Sequence, residues 1–426
     1  MRYAWIGCAL SLGLAVAACS GGKSGDDDDD NGGESGAGTG GSSAQGGSSG
    51  KGGSGGTAGG TGAKGGTGGT GGSAGSATQP LPGGPFAFPQ NKKPPHCELT
   101  STANASGAVQ SAYNFWKQTF VVSATGGLRV QRTENSNDTV SEGIGYGMLI
   151  AVYMNDKATF DGIWSFAKLH RGGSGLMTWH LNADGTVAAQ GSGSATDADE
   201  DMAYALAMAS AQWQSGTYLD EAKTLINAIM SNCVAADGTL KPGDSWGATD
   251  RTYPDYFAPS YFRVFKALTG NANWDVVIKR NYEILAAVSG EHGLVPDYTT
   301  SKYDLSQGYK YDACRTPWRI GLDYCQYGTP EALTYLQKVG TFFDGVGVSN
   351  IGDGYALDGS KTSNFGNMAF IGPAGVAGMA GWPKLLNDAF TYGATGNGGS
   401  QNYYAQTLRV ITMLVMSGNF IDVTQP

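Results

Sequence analysis

ATDADEDMAYALAMASAQW, residues 195–213, is the stretch whose reading decides how this chain folds. Met202, Leu206, Ala209 and Trp213 recur at helical spacing, so the segment is expected to be a helix with an apolar stripe. Asp197, Asp199, Glu200 and Asp201 crowd its first turn. The partial positive charge of a helix start favours one or two carboxylates there. Four within five residues exceed what capping requires, because one acid already satisfies the free amides. The helix should therefore be buried, with an acidic end that faces something polar.

Two further stretches repeat the arrangement. VSEGIGYGM, residues 140–148, places Ser141 as an N-cap and Glu142 in the first turn, with Met148, Leu149, Val152 and Tyr153 as the buried face. YKYDACRTPWRIGLDY, residues 309–324, places Thr316 and Pro317 as an N-cap and first-position pair, since proline lacks only an amide that would be unpaired anyway. Asp312 then lies in the loop just before a third helix. If these helices ran parallel around one axis, their acids would gather at one end. Separated carboxylates in an aromatic cleft are what glycoside hydrolysis asks for, one protonated for the leaving oxygen and one ionised as base or nucleophile.

Outward from these segments, the chain divides by composition. Residues 1–18 have Arg2 near the start and a short apolar run ending in small residues, the form of an export signal. The run Val16, Ala17, Ala18, Cys19 resembles the lipobox of bacterial lipoproteins, which makes Cys19 the expected site of lipidation. Residues 19–95 form the expected tether, Gly, Ser, Thr and Ala first and proline-rich from Pro80, too poor in apolar side chains to fold. Such a coil spans roughly 50 Å. Residues 96–426 carry helical patterning with helix starts near Ser106, Ser141, Thr159, Asp197, Tyr218, Pro259, Asn273, Thr316, Thr329, Asn364, Pro383 and Asn402. About twelve helices without persistent strand alternation suggest an all-α closed double ring of helix hairpins, with the inner six parallel.

Several function classes are disfavoured. The net charge of −9 argues against nucleic acid. No phosphate-binding GxxxxGK loop and no nucleophile elbow is present. Neither cysteine nor histidine pairs have metal-ligand spacing, so no structural zinc and no cofactor is expected. Oxygen-rich acidic loops leave calcium as the one metal still open. Export would permit disulfides among Cys97, Cys233, Cys314 and Cys325, although a helix between Cys314 and Cys325 disfavours that pair.

The stretches SEGIGYGM, ATDADEDMAYALAMASAQW and YDACRTPWR resemble glycoside hydrolase family 8. LMTWHLNADG, KPGDSWG, YFAPSYFRVF, GLVPDY, DGYALDGSKTSN and AFIGP extend the likeness from about Val109 to Phe420. The resemblance implies an (α/α)6 barrel with an open cleft and an inverting mechanism. On it, Glu142 matches the general acid and Asp312 the base that activates water. Asp197 matches a carboxylate that holds hydroxyls of the distorted sugar, and Tyr256 a tyrosine that helps place the water. Arg315 is expected to orient Asp312. Trp179, Trp246 and Tyr311 match cleft-lining positions, and Tyr403 or Tyr404 would add a further sugar platform. Asp199, Glu200 and Asp201 read as caps and pair formers, and Trp116, Trp164, Trp213 and Trp318 as core.

As an acid, Glu142 must stay protonated although a helix start favours its ionised form. Burial and neighbouring carboxylates must therefore raise its pKa. The expected activity is an inverting endo-acting hydrolase of β-1,4-glucan, monomeric, with membrane contact only through a lipid on Cys19, at the bacterial outer membrane or cell surface or released from it. A xylanase of the same family and a non-catalytic glycan-binding surface protein are the alternatives.

Overall fold

The computed structural model describes residues 78–84, 86–246, 251–395 and 398–422. The expected signal segment, Cys19 and the tether as far as residue 77 lie outside the described residues.

Twelve α-helices follow one another among the described residues: α1 (Ala105–Phe120), α2 (Ser141–Tyr153), α3 (Lys157–Leu169), α4 (Thr196–Gln212), α5 (Gly216–Cys233), α6 (Pro259–Thr269), α7 (Asn273–Val288), α8 (Thr316–Tyr327), α9 (Pro330–Val346), α10 (Met368–Gly378), α11 (Pro383–Ala394) and α12 (Tyr403–Met416). The even-numbered helices pack in a closed circuit, α2 on α4, α4 on α6, α6 on α8, α8 on α10, α10 on α12, and α12 back on α2. Each odd-numbered helix packs outside an even one, α3 on α2, α5 on α4, α7 on α6, α9 on α8, α11 on α10 and α1 on α12. This is an (α/α)6 barrel.

Residue chemistry accounts for the two rings. Every residue of α4 and α10 is buried, and apolar or small side chains surround both helices on all sides, as a helix with no solvent face requires. Spacing alone marks only a stripe on α4, but its alanines at 198, 203, 205, 207, 209 and 211 let neighbours approach all round. Outer helices bury one face, as α5 does with Leu219, Ala222, Leu225, Ile226 and Ile229. In α2, a Cβ on Gly145 would sit 2.8 Å from the Ala198 carbonyl oxygen, and one on Gly143 2.9 Å from the Tyr403 hydroxyl. Those glycines set how closely α2 approaches α4 and α12.

Because each inner helix is followed by an outer one that runs back, the inner helices share a direction and their N-termini gather at one end. Two small antiparallel pairs decorate that architecture. β1 (Val121–Ala124) pairs with β2 (Gly127–Val130), and β3 (Thr139–Val140) with β4 (His180–Leu181). The second pair ties the entry of α2 to the segment after Trp179, whose carbonyl accepts from the Ser141 amide at 2.8 Å.

The opposite end is closed by a strap. Residues 78–95, expected to belong to the tether, run along the C-terminal ends of the inner helices. The Leu81 amide donates to Ser210 Oγ at 3.1 Å, the Gln90 amide to Asn419 Oδ1 at 2.7 Å, and the Lys92 amide to the Gly418 carbonyl at 2.8 Å. A Cys97–Cys325 disulfide bonds the strap to the last turn of α8, while Cys233 and Cys314 are free and buried. Polar groups at loop ends pair readily with helix carbonyls and caps, so a proline-rich stretch that cannot build a core can still dock on one.

Helix starts differ from expectation by zero to four residues. Ser141 and Thr316 are the first helical residues rather than N-caps, positions held by Val140 and Arg315, neither with a side-chain capping bond. The largest offset is α10, which starts at Met368 under an Asn367 cap instead of near Asn364. The tertiary course of the chain sets those entry points. Trp116, Trp164 and Trp318 are core as expected, whereas Trp213 is only partly buried.

Candidate active site

One arginine organises the open end of the barrel. Arg315, on a 3₁₀ turn over Ala313–Arg315 that feeds α8, has a side chain only 2 % exposed. Its Nη1 donates to Glu142 Oε2 at 2.7 Å, to Asp197 Oδ2 at 2.7 Å and to the Tyr146 hydroxyl at 3.1 Å. Its Nη2 donates to Asp312 Oδ1 at 3.1 Å and contacts Asp255. The planar fork of a guanidinium can serve several carboxylates at fixed geometry, which an ammonium cannot. Arg315 therefore does more than orient Asp312; it brings together acids drawn from four separate stretches of chain.

These four acids differ in access. The Asp255 side chain is fully buried and that of Asp197 3 % exposed, while Glu142 keeps 19 % of its surface open and Asp312 46 %. Glu142 and Asp312 are thus the most open of the four, and Asp197 and Asp255 form the floor. One cation cannot neutralise four carboxylates, so the cluster must retain protons. Burial raises the Glu142 carboxyl above its ordinary range, with Arg315 opposing and Asp197 adding to the rise. Burial pushes Asp312 up to about 7, against Arg315, with Asp297, Glu142 and Asp197 contributing. Asp312 is half open in surface terms, so water at its exposed oxygen moderates the effect of its surroundings. Burial also holds Asp255 well above the usual carboxylate range.

Tyr403 opens α12, and its hydroxyl donates to Glu142 Oε1 at 3.1 Å. Both oxygens of Glu142 are therefore held, one by a cation and one by a neutral hydroxyl. Tyr256 closes the turn Pro254–Tyr256 with its ring 5.8 Å from the Arg315 guanidinium carbon and stacked on Tyr253. One oxygen of Asp197, Oδ1, is buried without a hydrogen-bond partner.

The expected sugar-stacking aromatics are distributed as follows. Trp179 and Trp246 are each partly exposed, with indole N–H groups anchored on the carbonyls of Gln190 at 3.1 Å and Ser194 at 3.0 Å. Tyr311 is 43 % exposed, its hydroxyl on Asp353 at 2.5 Å. Tyr404 is partly buried beside Tyr311, with its hydroxyl on the Tyr311 carbonyl. Of the tyrosine pair weighed as a platform, it is Tyr403 that contacts the acid, through its hydroxyl rather than its ring face.

The remaining acids of α4, expected as caps and pair formers, cap nothing, and Asp201 alone forms an ion pair. Asp199 reaches out to the Met177 amide at 3.0 Å, and Asp201 pairs with the fully buried Arg319, whose Nη2 lies 2.8 Å from Oδ2. Glu200 is buried with neither oxygen bonded, and burial holds it well above the ordinary range. The helix starts beneath the barrel floor rather than in water, so Asp199 and Asp201 turn to inner partners. Asp255 was missed as a member of the site although it directly precedes Tyr256. Its only available signal was that adjacency.

The profile described as glycosyl hydrolases family 8 matches residues 86–418. Endoglucanase 2 of Ruminiclostridium josui is 39 % identical over 356 residues, covering 78 % of this chain and 76 % of that protein. A reducing-end xylose-releasing exo-oligoxylanase of Halalkalibacterium halodurans is 26 % identical over 321 residues, 66 % of this chain and 80 % of that protein. Among solved structures, an apo β-1,3-1,4-glucanase from Paenibacillus sp. X4 superposes with a TM-score of 0.74 at 32 % identity, covering 79 % of this chain and 98 % of that one.

Proposed function

Because the chain belongs to glycosyl hydrolases family 8, we propose how its barrel carries out the hydrolysis. It is an endo-acting glycoside hydrolase of β-glucan. Glu142 serves as general acid and Asp312 as general base, with inversion at the anomeric carbon. One observation carries this reading: Glu142 and Asp312 contact different nitrogens of one guanidinium, so both carboxyls sit at one site, as an acid and a base acting on one glycosidic bond must. The more enclosed carboxyl is the one suited to keep its proton, and the more open one to meet water.

In the reaction, Glu142 gives its proton to the departing glycosidic oxygen while Asp312 takes one from a water on the opposite face of the sugar. Tyr256 helps place that water. Asp197 Oδ1, buried and unpaired, is an acceptor for a sugar hydroxyl, and a bond that tightens as the ring flattens favours the transition state over bound substrate. Trp179, Trp246, Tyr311 and Tyr404 supply apolar faces for sugar rings. Internal β-1,4 bonds of glucan are the preferred substrate, supported by the higher identity to the endoglucanase than to the oligoxylanase.

The test is stereochemical. NMR of freshly cleaved cello-oligosaccharide is expected to show the α-anomer first. A β-anomer appearing first overturns inversion, and faster cleavage of xylan than of β-glucan overturns the substrate assignment.

Export and lipidation at Cys19 complete the proposal, supported by the residues preceding that cysteine. Cys19→Ser is expected to move the enzyme from the membrane fraction to the soluble fraction. An unchanged distribution sinks the anchor.

A further inference from the structure

Asp297, in the stretch GLVPDY at 293–298, stands outside the four carboxylates gathered on Arg315. Its Oδ1 accepts the backbone amides of Lys310 at 3.0 Å and Ala313 at 2.9 Å. Its own amide donates to the Gly308 carbonyl at 3.0 Å. The two amides it binds lie on either side of Asp312. The same turn closes on itself, with the Cys314 amide on the Lys310 carbonyl at 3.0 Å and the Arg315 amide on the Asp312 carbonyl at 3.2 Å. Two amides three residues apart converge on one carboxylate oxygen, which fixes the backbone of the turn between them.

We propose that Asp297 is a positioning residue for the base: it fixes the 310–313 turn that presents Asp312 and keeps a negative charge beside it. This rests on the assignment of Asp312 as base. Asp312 is held on its own segment only by one short 3₁₀ turn, and about 1 Å of misplacement can cost on the order of 100-fold in rate. A carboxylate that binds both flanking amides removes that freedom.

Its charge has a separate consequence. Asp312 is faced by Arg315 on its own turn, Asp297 on the 293–298 loop, Glu142 on α2, Asp197 on α4, and Tyr253, Asp255 and Tyr256 on the turn before α6. Burial raises Asp312 most, Arg315 opposes, and Asp297 adds to the rise. A nearby like charge disfavours ionisation. Loss of that charge alone therefore lets Asp312 ionise at lower pH and makes it a weaker base.

The experiment measures kcat and KM on a soluble β-glucan across the acid and alkaline limbs for three variants of the whole enzyme. Asp297→Asn keeps an oxygen acceptor for the two amides but removes the charge, and is expected to move the acid limb toward lower pH by about one unit. Asp297→Ala also removes the acceptor and is expected to lower kcat about 10- to 100-fold with KM changed far less. An acid limb unmoved in Asp297→Asn, or a wild-type kcat in Asp297→Ala, overturns the inference. Asp312→Asn separates the two layers. If it abolishes turnover while the Asp297 variants behave as wild type, only the positioning role fails; if it turns over normally, the base assignment fails and this inference with it.

Discussion

Glu142→Gln is expected to lower kcat on β-glucan by about 10²- to 10⁴-fold while KM stays near its original value, since general acid catalysis contributes on that order. Glutamine matches the shape of glutamic acid and keeps an oxygen for Arg315 Nη1, while its amide can donate to the Tyr403 hydroxyl. The fold is therefore retained, and what disappears is the proton. The size of the loss should depend on the leaving group. An aryl cellobioside whose phenol departs without protonation is expected to lose much less than a polysaccharide bond, because the acid acts on the departing oxygen. Equal losses on both substrates, or turnover within tenfold of wild type on β-glucan, would remove Glu142 from the role.

Arg315→Met has the broadest expected effect, on both stability and pH dependence. It leaves Glu142, Asp197, Asp255 and Asp312 without the cation they share. Breaking a buried ion pair from one side costs about 3–5 kcal/mol, a large share of the roughly 5–15 kcal/mol that holds a domain folded. The acids can relieve the penalty by taking up protons. Their folded pKa values, already raised for Glu142, Asp255 and Asp312, rise further without Arg315. A carboxyl whose folded pKa lies above its unfolded value contributes stability below the unfolded pKa and loses it as pH rises toward the folded one. The variant should consequently be destabilised more at pH 8 than at pH 5, which thermal unfolding at the two pH values reads directly.

Activity should follow the same logic. Arg315 restrains the rise of Asp312, which stands at about 7 in its presence. Without the arginine the base is protonated at neutral pH, so the acid limb of kcat/KM moves to higher pH. Arg315→Lys is expected to recover little, because one ammonium cannot occupy both Nη positions. A lysine variant with wild-type melting and pH profile would mean that the cluster does not depend on the fork.

How much of this was legible beforehand varies by residue. Twelve helices could be placed because short Gly, Pro, Asn and Asp interruptions punctuate strong local patterning, and eleven of the expected starts fall within two residues of the observed ones. Asp197 was legible because carboxylates crowd its helix start beyond what capping explains, and Glu142 and Asp312 because each lies at or just before a helix start in a stretch that resembles family 8. Asp255 and Asp297 were not. Each is a single acid in a loop, and what distinguishes Asp255 is its contact with Arg315, 60 residues away, and Asp297 its bonds to amides of a later loop. Tyr403 was weighed for its ring because the hydroxyl's partner lies 261 positions away. The strap at 78–95 was taken for tether because composition reports whether a segment can build a core, not whether it can lie on one.

The sequence by itself determined that residues 96–426 are predominantly helical, that acids open several of the helices, and that its motifs are those of family 8, because these rest on local spacing and on residues read one segment at a time. Only the tertiary structure decided that α12 closes back onto α2 and that one guanidinium gathers acids from four stretches. It also decided which of those acids remain open to the cleft. The reason is physical. Helical periodicity is written within a few residues, whereas burial, shared counter-charge and the proton affinities they set depend on which distant segments pack into the same few ångströms.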